Sequence, residues 1–166
     1  MLPVIISDAS PLIGLAKIGR LNLLQQLYQH IVIPPAVHTE LQTASQRAGS
    51  VELQQALADG WLSVAHQADV PIDCIIELRQ TLDMGEAEAI ALALHLAADL
   101  LLVDEQRGRA VAQQKGLRII GTGVVLITAK RFGYITSVKA ELEALFRSGY
   151  RLSARLREQL VAMAGE

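Results

Sequence analysis

Short unbroken apolar runs alternate with longer stretches of helical period along this chain. Val4-Ile5-Ile6, Ile31-Val32-Ile33 and Leu100-Leu101-Leu102-Val103 are too short for helices and too continuous for half-exposed strands. They read as strands buried on both faces, which is the pattern of a parallel sheet. Trp61 to Val64, after Asp59-Gly60, and Leu117 to Ile120 supply two more. Strands are therefore expected at 3–7, 31–33, 61–64, 100–103 and 117–120. Helices are expected at 11–28 with a break at Gly19-Arg20, from Pro35 past Leu41, and at 51–57, 74–81, 86–97, 107–115, 124–131, 136–146 and 152–163. Residues 43–50 and 66–73 are polar and read as loops. Ser10 before Pro11 has the look of a helix N-cap with proline at the first helical position. Five strands separated by helices imply an α/β fold, a three-layer α/β/α sandwich around a mostly parallel sheet.

Composition narrows this picture. The 166 residues fit one domain, with a core over about 3–135 and a helical extension over about 136–166. Hydrophobic residues make up 51% of the chain and aromatics only 4%, so the core is aliphatic and no aromatic stacking platform is expected. A net charge of −2 gives no global attraction to nucleic acid, which leaves a local patch or a bound cation as the means. The one cysteine, Cys74, excludes an internal disulfide and suits a reducing compartment. The N-terminus lacks a basic region ahead of its apolar run, and no stretch is long enough to span a bilayer. A cytoplasmic protein with no membrane partner is the expectation.

The candidate chemistry lies in the acids. Asp8 and Asp104 each end an apolar run, so both fall at the C-terminal edge of a parallel sheet, where ligands collect in such folds. Glu40 and Glu86 lie early in helices that follow turns near that edge. Each acid has a plain structural use: Asp8 and Asp104 as helix caps, Glu86 against a helix dipole, Glu40 in solvent. Together they repel and raise one another's pKa unless a cation neutralises them, and hard oxygen ligands favour Mg²⁺ or Mn²⁺. Residue pattern alone leaves both readings open. Arg107 and Arg109, near the same edge, are candidates for binding a nucleic-acid backbone or are simply solvated. His38, two residues before Glu40, is a candidate to approach the site or is structural or solvated, and His30, His66 and His95 show no zinc spacing with Cys74. Gly121-Thr122-Gly123 lacks the rest of a phosphate loop and reads as a strand-to-helix turn.

The segments ISDASPLIGLAKIGRLNLL, IPPAVHTEL, LDMGEAEAIALALHLAADLLLVDE, RGRAVAQQKGLRIIGTGVVLITAKRFGYI and GYRLSARL, in this order, resemble the DUF3368 branch of PIN-domain proteins. They are similar to the toxin ribonucleases of VapBC-type toxin–antitoxin pairs. The resemblance implies a metal-dependent ribonuclease that hydrolyses RNA phosphodiesters. It implies four catalytic acids, Asp8, Glu40, Glu86 and Asp104, with Asp8, Glu86 and Asp104 as ligands of Mg²⁺ or Mn²⁺. It implies a supporting hydroxyl at Ser10. The third acid is often Asp in such nucleases, so Glu88 competes with Glu86. Glu86 has the expected register, eighteen residues before Asp104, and Glu88 points about 200° away from it on an ideal helix. Partners implied are RNA, a cognate antitoxin and a second copy in a homodimer, with leucines expected to be exposed on helices 11–28 and 35–57. A catalytically weak or inactive module that binds RNA or protein is the alternative.

Overall fold

The computed structural model describes residues 2–43 and 46–166; Met1 and two residues of the expected 43–50 loop, Ala44 and Ser45, lie outside the described residues. Five strands form one sheet: β1 (Ile5–Ser7), β2 (Ile31–Ile33), β3 (Leu62–Val64), β4 (Leu100–Leu102) and β5 (Ile119–Ile120). All pair in parallel, in the order β3-β2-β1-β4-β5. The chain winds outward in one direction from β1 to β3, then resumes on the other side of β1 with β4. The crevice beyond the ends of β1 and β4 is thus the switch point of the sheet, where open α/β folds bind ligands.

Ile6 pairs with Leu101 and Ile5 with Leu100. The two-residue period sends Ile5 and Leu102 to one face of the sheet, and Ile6, Leu101 and Val103 to the other. On the first face they meet α1 (Ala9–Lys17), α2 (Asn22–Tyr28), α3 (Pro35–Thr43), α4 (Ser50–Asp59), α8 (Thr122–Arg131), α9 (Val138–Arg147) and α10 (Ala154–Met163). On the second they meet α5 (Ile72–Leu78), α6 (Met84–His95) and α7 (Gln106–Gln114). Each fully buried Leu or Ile contributes about 1.5–3 kcal/mol relative to exposure. Helix α6 is buried from Gly85 to Ala93, which explains why its Ala-rich sequence has little amphipathic pattern.

Several element boundaries differ from those expected. Helix α1 starts at Ala9 with Asp8, not Ser10, at its N-cap; Ser10 and Pro11 lie within the first turn. Proline is tolerated there because first-turn N–H groups have no intrahelical partner. Helix α6 starts at Met84, two residues before Glu86, because Asp83 caps it. Helix α5 starts at Ile72, directly after Pro71, and a single turn at Gln67–Asp69 interrupts the expected loop. The leucines expected on the surface of helices 11–28 and 35–57 are not there. Leu12, Leu15, Leu21, Leu23, Leu24, Leu41 and Leu53 are buried in the core on the first face of the sheet, and Leu27 and Leu57 are half-buried.

Candidate active site

Three short connections bring the acids to the switch point. β1 ends at Ser7, and the buried Asp8 follows at the junction with α1, its N–H held by Leu102 O at 2.9 Å. No hydrogen bond of the capping kind occupies its carboxylate. In α3, Pro35 takes the first helical position and Glu40 comes in the second turn, on a more exposed face. In α6, Asp83 accepts from Glu86 N at 2.8 Å while Glu86 Oε2 accepts from Asp83 N at 3.3 Å, a reciprocal capping box. This box fixes Glu86 with its other oxygen, Oε1, buried and without a hydrogen-bond partner among the described residues.

Gly85 sits among these groups. A Cβ built on it would lie 3.2 Å from Glu40 Oε2, 3.5 Å from Asp8 Oδ1 and 3.6 Å from Asp83 Oδ1. Three carboxylate oxygens therefore face one point that only the absent side chain keeps open. Gly108, near the start of α7, closes the far side: its Cβ position is 3.2 Å from Glu86 Oε1.

The electrostatics follow from this crowding. Burial pushes Asp8 up to about 7, the Ala9 amide pulls it partly back, and the charges of Glu86, Asp83 and Glu40 add to the rise. Burial likewise pushes Glu86 up to about 7, with Asp83 the leading neighbouring charge. Glu40 is raised by its own desolvation and by Asp83. Paired functional acids show this signature.

Asp104 reaches the same edge but is held differently. Oδ1 accepts from Thr122 N at 2.8 Å, and Oδ2 from Thr122 Oγ1 at 2.6 Å and from the Tyr150 hydroxyl. Tyr150 comes from the turn after α9, where Gly149 at φ +91° redirects the chain and Tyr150 N bonds Leu145 O. Its ring lies over Gly14 of α1, where a Cβ would come within 2.6 Å. Burial, then the Asp104 charge, raises the phenol well above its ordinary range.

Of the residues expected at the site, Asp8 and Glu40 face Gly85, Glu86, the next residue of α6, is held by Asp83, and Asp104 is bonded by Tyr150. Ser10 forms no side-chain hydrogen bond among the described residues. Glu88 turns elsewhere: its Oε2 accepts from Ala36 N at 2.7 Å and caps α3. Arg109 donates to Val103 O at 3.0 Å, and Arg107 is exposed. Three residues escaped the sequence reading. Asp83 was signalled by Asp-x-x-Glu, a capping-box spacing. Thr122 was seen only as part of a turn, and Tyr150 carries no local signal.

The DUF3368 family, a PIN domain, matches residues 4–166. The chain belongs to this PIN-domain family. The five-stranded parallel sheet is in keeping with it, and PIN domains are generally nucleases that use divalent metal ions. No curated protein matches the chain. Among the described residues no three His, Cys, Asp or Glu side chains are drawn in closely enough to form a metal cage. Mg²⁺ does not need one: it keeps several waters and binds through one or two carboxylates. The donors around Gly85 are all carboxylate oxygens, and Glu86 Oε1, beside Gly108, is buried and unpartnered among the described residues, so this PIN-domain chain has a donor set of the right chemistry. No helix is long and apolar enough to cross a membrane among the described residues.

Proposed function

We propose that this PIN-domain protein is a metal-dependent endoribonuclease, the toxin of a type II toxin–antitoxin pair. One observation carries the reading: Asp8 and Glu86 are both buried, raised to about 7 and coupled by charge, and Glu86 Oε1 has no hydrogen-bond partner among the described residues. Such a cluster is costly unless a cation joins it. Asp8 and Glu86 hold Mg²⁺ or Mn²⁺, with Asp104 as a third ligand. A bound divalent cation supplies charge neutralisation at the phosphodiester and activation of water. Glu40, the more exposed acid, orients the attacking water and accepts its proton. Ser10 supports the carboxylate of Asp8 through water. Arg107 meets the RNA backbone, with Arg109 beside it. The whole chain acts as one domain, a core to about residue 135 followed by a helical extension. It works in the cytoplasm as a homodimer with a cognate antitoxin, as in the toxins it resembles.

A second reading is a PIN module that binds RNA or protein without turnover. It is favoured by Asp104, whose two oxygens already accept three hydrogen bonds. Cleavage of a mixed RNA pool by purified protein with Mn²⁺ or Mg²⁺ separates the two. Cutting that disappears with EDTA and in Asp8→Asn supports the nuclease. Intact RNA at every metal concentration, with no Mn²⁺ binding by calorimetry, removes it.

A further inference from the structure

A dense run of positive charge on this chain lies in one short turn. Arg147, Arg151, Arg155 and Arg157 fall within eleven residues that contain no Asp or Glu, in a chain of net charge −2. The stretch ends α9, turns at Gly149 and opens α10, where Ser153 caps the helix by accepting from Leu156 N. Arg147, Arg151 and Arg155 are exposed. The same turn encloses an open cavity of about 450 Å³ lined by Phe146, Gly149, Tyr150, Arg151, Leu152 and Ser153.

Two details give this surface a direction. The Arg157 guanidinium lies 4.3 Å from the ring centroid of Phe146, while Phe146 remains 52% exposed. Arg157 Nε is buried with no hydrogen-bond partner among the described residues. An aromatic backed on one side by a cation and open on the other is a place for a base to stack. Tyr150 lines the cavity and also bonds Asp104, so the basic turn and the acidic site share one side chain.

We propose that residues 146–157 are the RNA track of this protein, with Arg151 and Arg155 binding backbone phosphates and Phe146 stacking a base, so that the strand runs past Tyr150 to the acids. This deepens the nuclease reading and rests on it only for what happens to the RNA afterwards. Clustered exposed arginines fit a polyanion, and the exposed ring favours a single strand with unpaired bases.

The test measures binding of a fluorescein-labelled 20-nucleotide single-stranded RNA to the full chain by anisotropy in EDTA, across a salt series. Arg151→Ala/Arg155→Ala is compared with Arg118→Ala/Arg131→Ala, two exposed cations elsewhere. The expected result is a loss of tenfold or more in the first variant only. Its log Kd against log salt slope should fall by about 1.4, two single-strand contacts. Arg151→Lys/Arg155→Lys should recover most of the affinity, and all variants should keep the parent melting temperature. Equal affinity in the first two variants overturns the proposal. So does a poly-glutamate peptide of equal length that competes as well as unlabelled RNA, which would assign the turn to an acidic protein. Metal-dependent cleavage of the same RNA is followed in parallel. Arginine-dependent binding without cleavage sinks the nuclease and keeps the track; cleavage unaffected in the first variant keeps the nuclease and sinks the track.

Discussion

Gly85 is the residue on which the geometry of the acidic pocket turns. Any side chain there would stand among Glu40, Asp8 and Asp83, in the space their oxygens face. Its position inside the first turn of α6 makes the opposite demand, because Ala is favoured over Gly in a helix by up to about 1 kcal/mol. Gly85→Ala should therefore leave stability unchanged or raise it by up to about 1 kcal/mol, while Mn²⁺ affinity falls severalfold because the methyl group displaces Glu40 Oε2 from 3.2 Å. Calorimetric titration with Mn²⁺ beside thermal melting checks it; unaltered affinity would remove the Gly85 pocket as the metal site. Legibility at this scale divided by distance along the chain. Asp8, Glu40 and Glu86 were readable because each follows a strand or turn whose end the sequence marks. Tyr150 was not, since its partner Asp104 lies 46 positions away and only tertiary packing joins them.

At the scale of elements, α6 performs two tasks with two acids two residues apart. Glu86 faces the pocket, held by Asp83, and Glu88 reaches across to the first turn of α3. The helical angle of about 200° between them explains the division. Glu88→Ala should leave Ala36 N unsatisfied and cost about 1–3 kcal/mol of stability, with Mn²⁺ binding per folded molecule unchanged. Denaturant unfolding with and without Mn²⁺ measures both; loss of the metal response in a Glu88→Ala protein that still folds would move the third acid to Glu88. The strands were legible as elements because each is an aliphatic run bounded by Pro, Gly or Asp. Helix starts were less so. Ser10-Pro11 and Gly85 carry strong local signals for a boundary, yet Asp8 and Asp83, further upstream, hold the cap positions. Propensity marks that a helix begins nearby, while packing decides the residue. Surface and core leucines of α1 to α4 could not be separated in sequence, because nothing local tells how much of a helix a sheet will cover.

For the whole molecule, the buried carboxylates make stability depend on pH and metal together. Asp8 rises from 3.8 to about 7 on folding, and Glu86 from 4.5 to about 7. Between the unfolded and folded values the native state binds protons that the unfolded chain has released, so stability falls as pH rises. Their contribution is fully present below the unfolded values and is lost by the time pH passes about 7, with a slope of at most about 1.4 kcal/mol per pH unit for each group. Asp8→Asn/Glu86→Gln removes both titrations while keeping hydrogen-bonding side chains of similar size. Relative to this double variant, the parent protein in EDTA should lose stability from pH 5 to about pH 7 and level off above it. A divalent cation reverses the trend, because it binds the deprotonated pair and stabilises the folded state by mass action. Added Mn²⁺ should raise the parent melting temperature more at pH 8 than at pH 5.5, and should leave the double variant unmoved at both. Parallel pH profiles for the two proteins in EDTA would show that the acids fold without mutual cost. The pocket would then have no electrostatic need for a metal, and Asp8 and Glu86 would be structural.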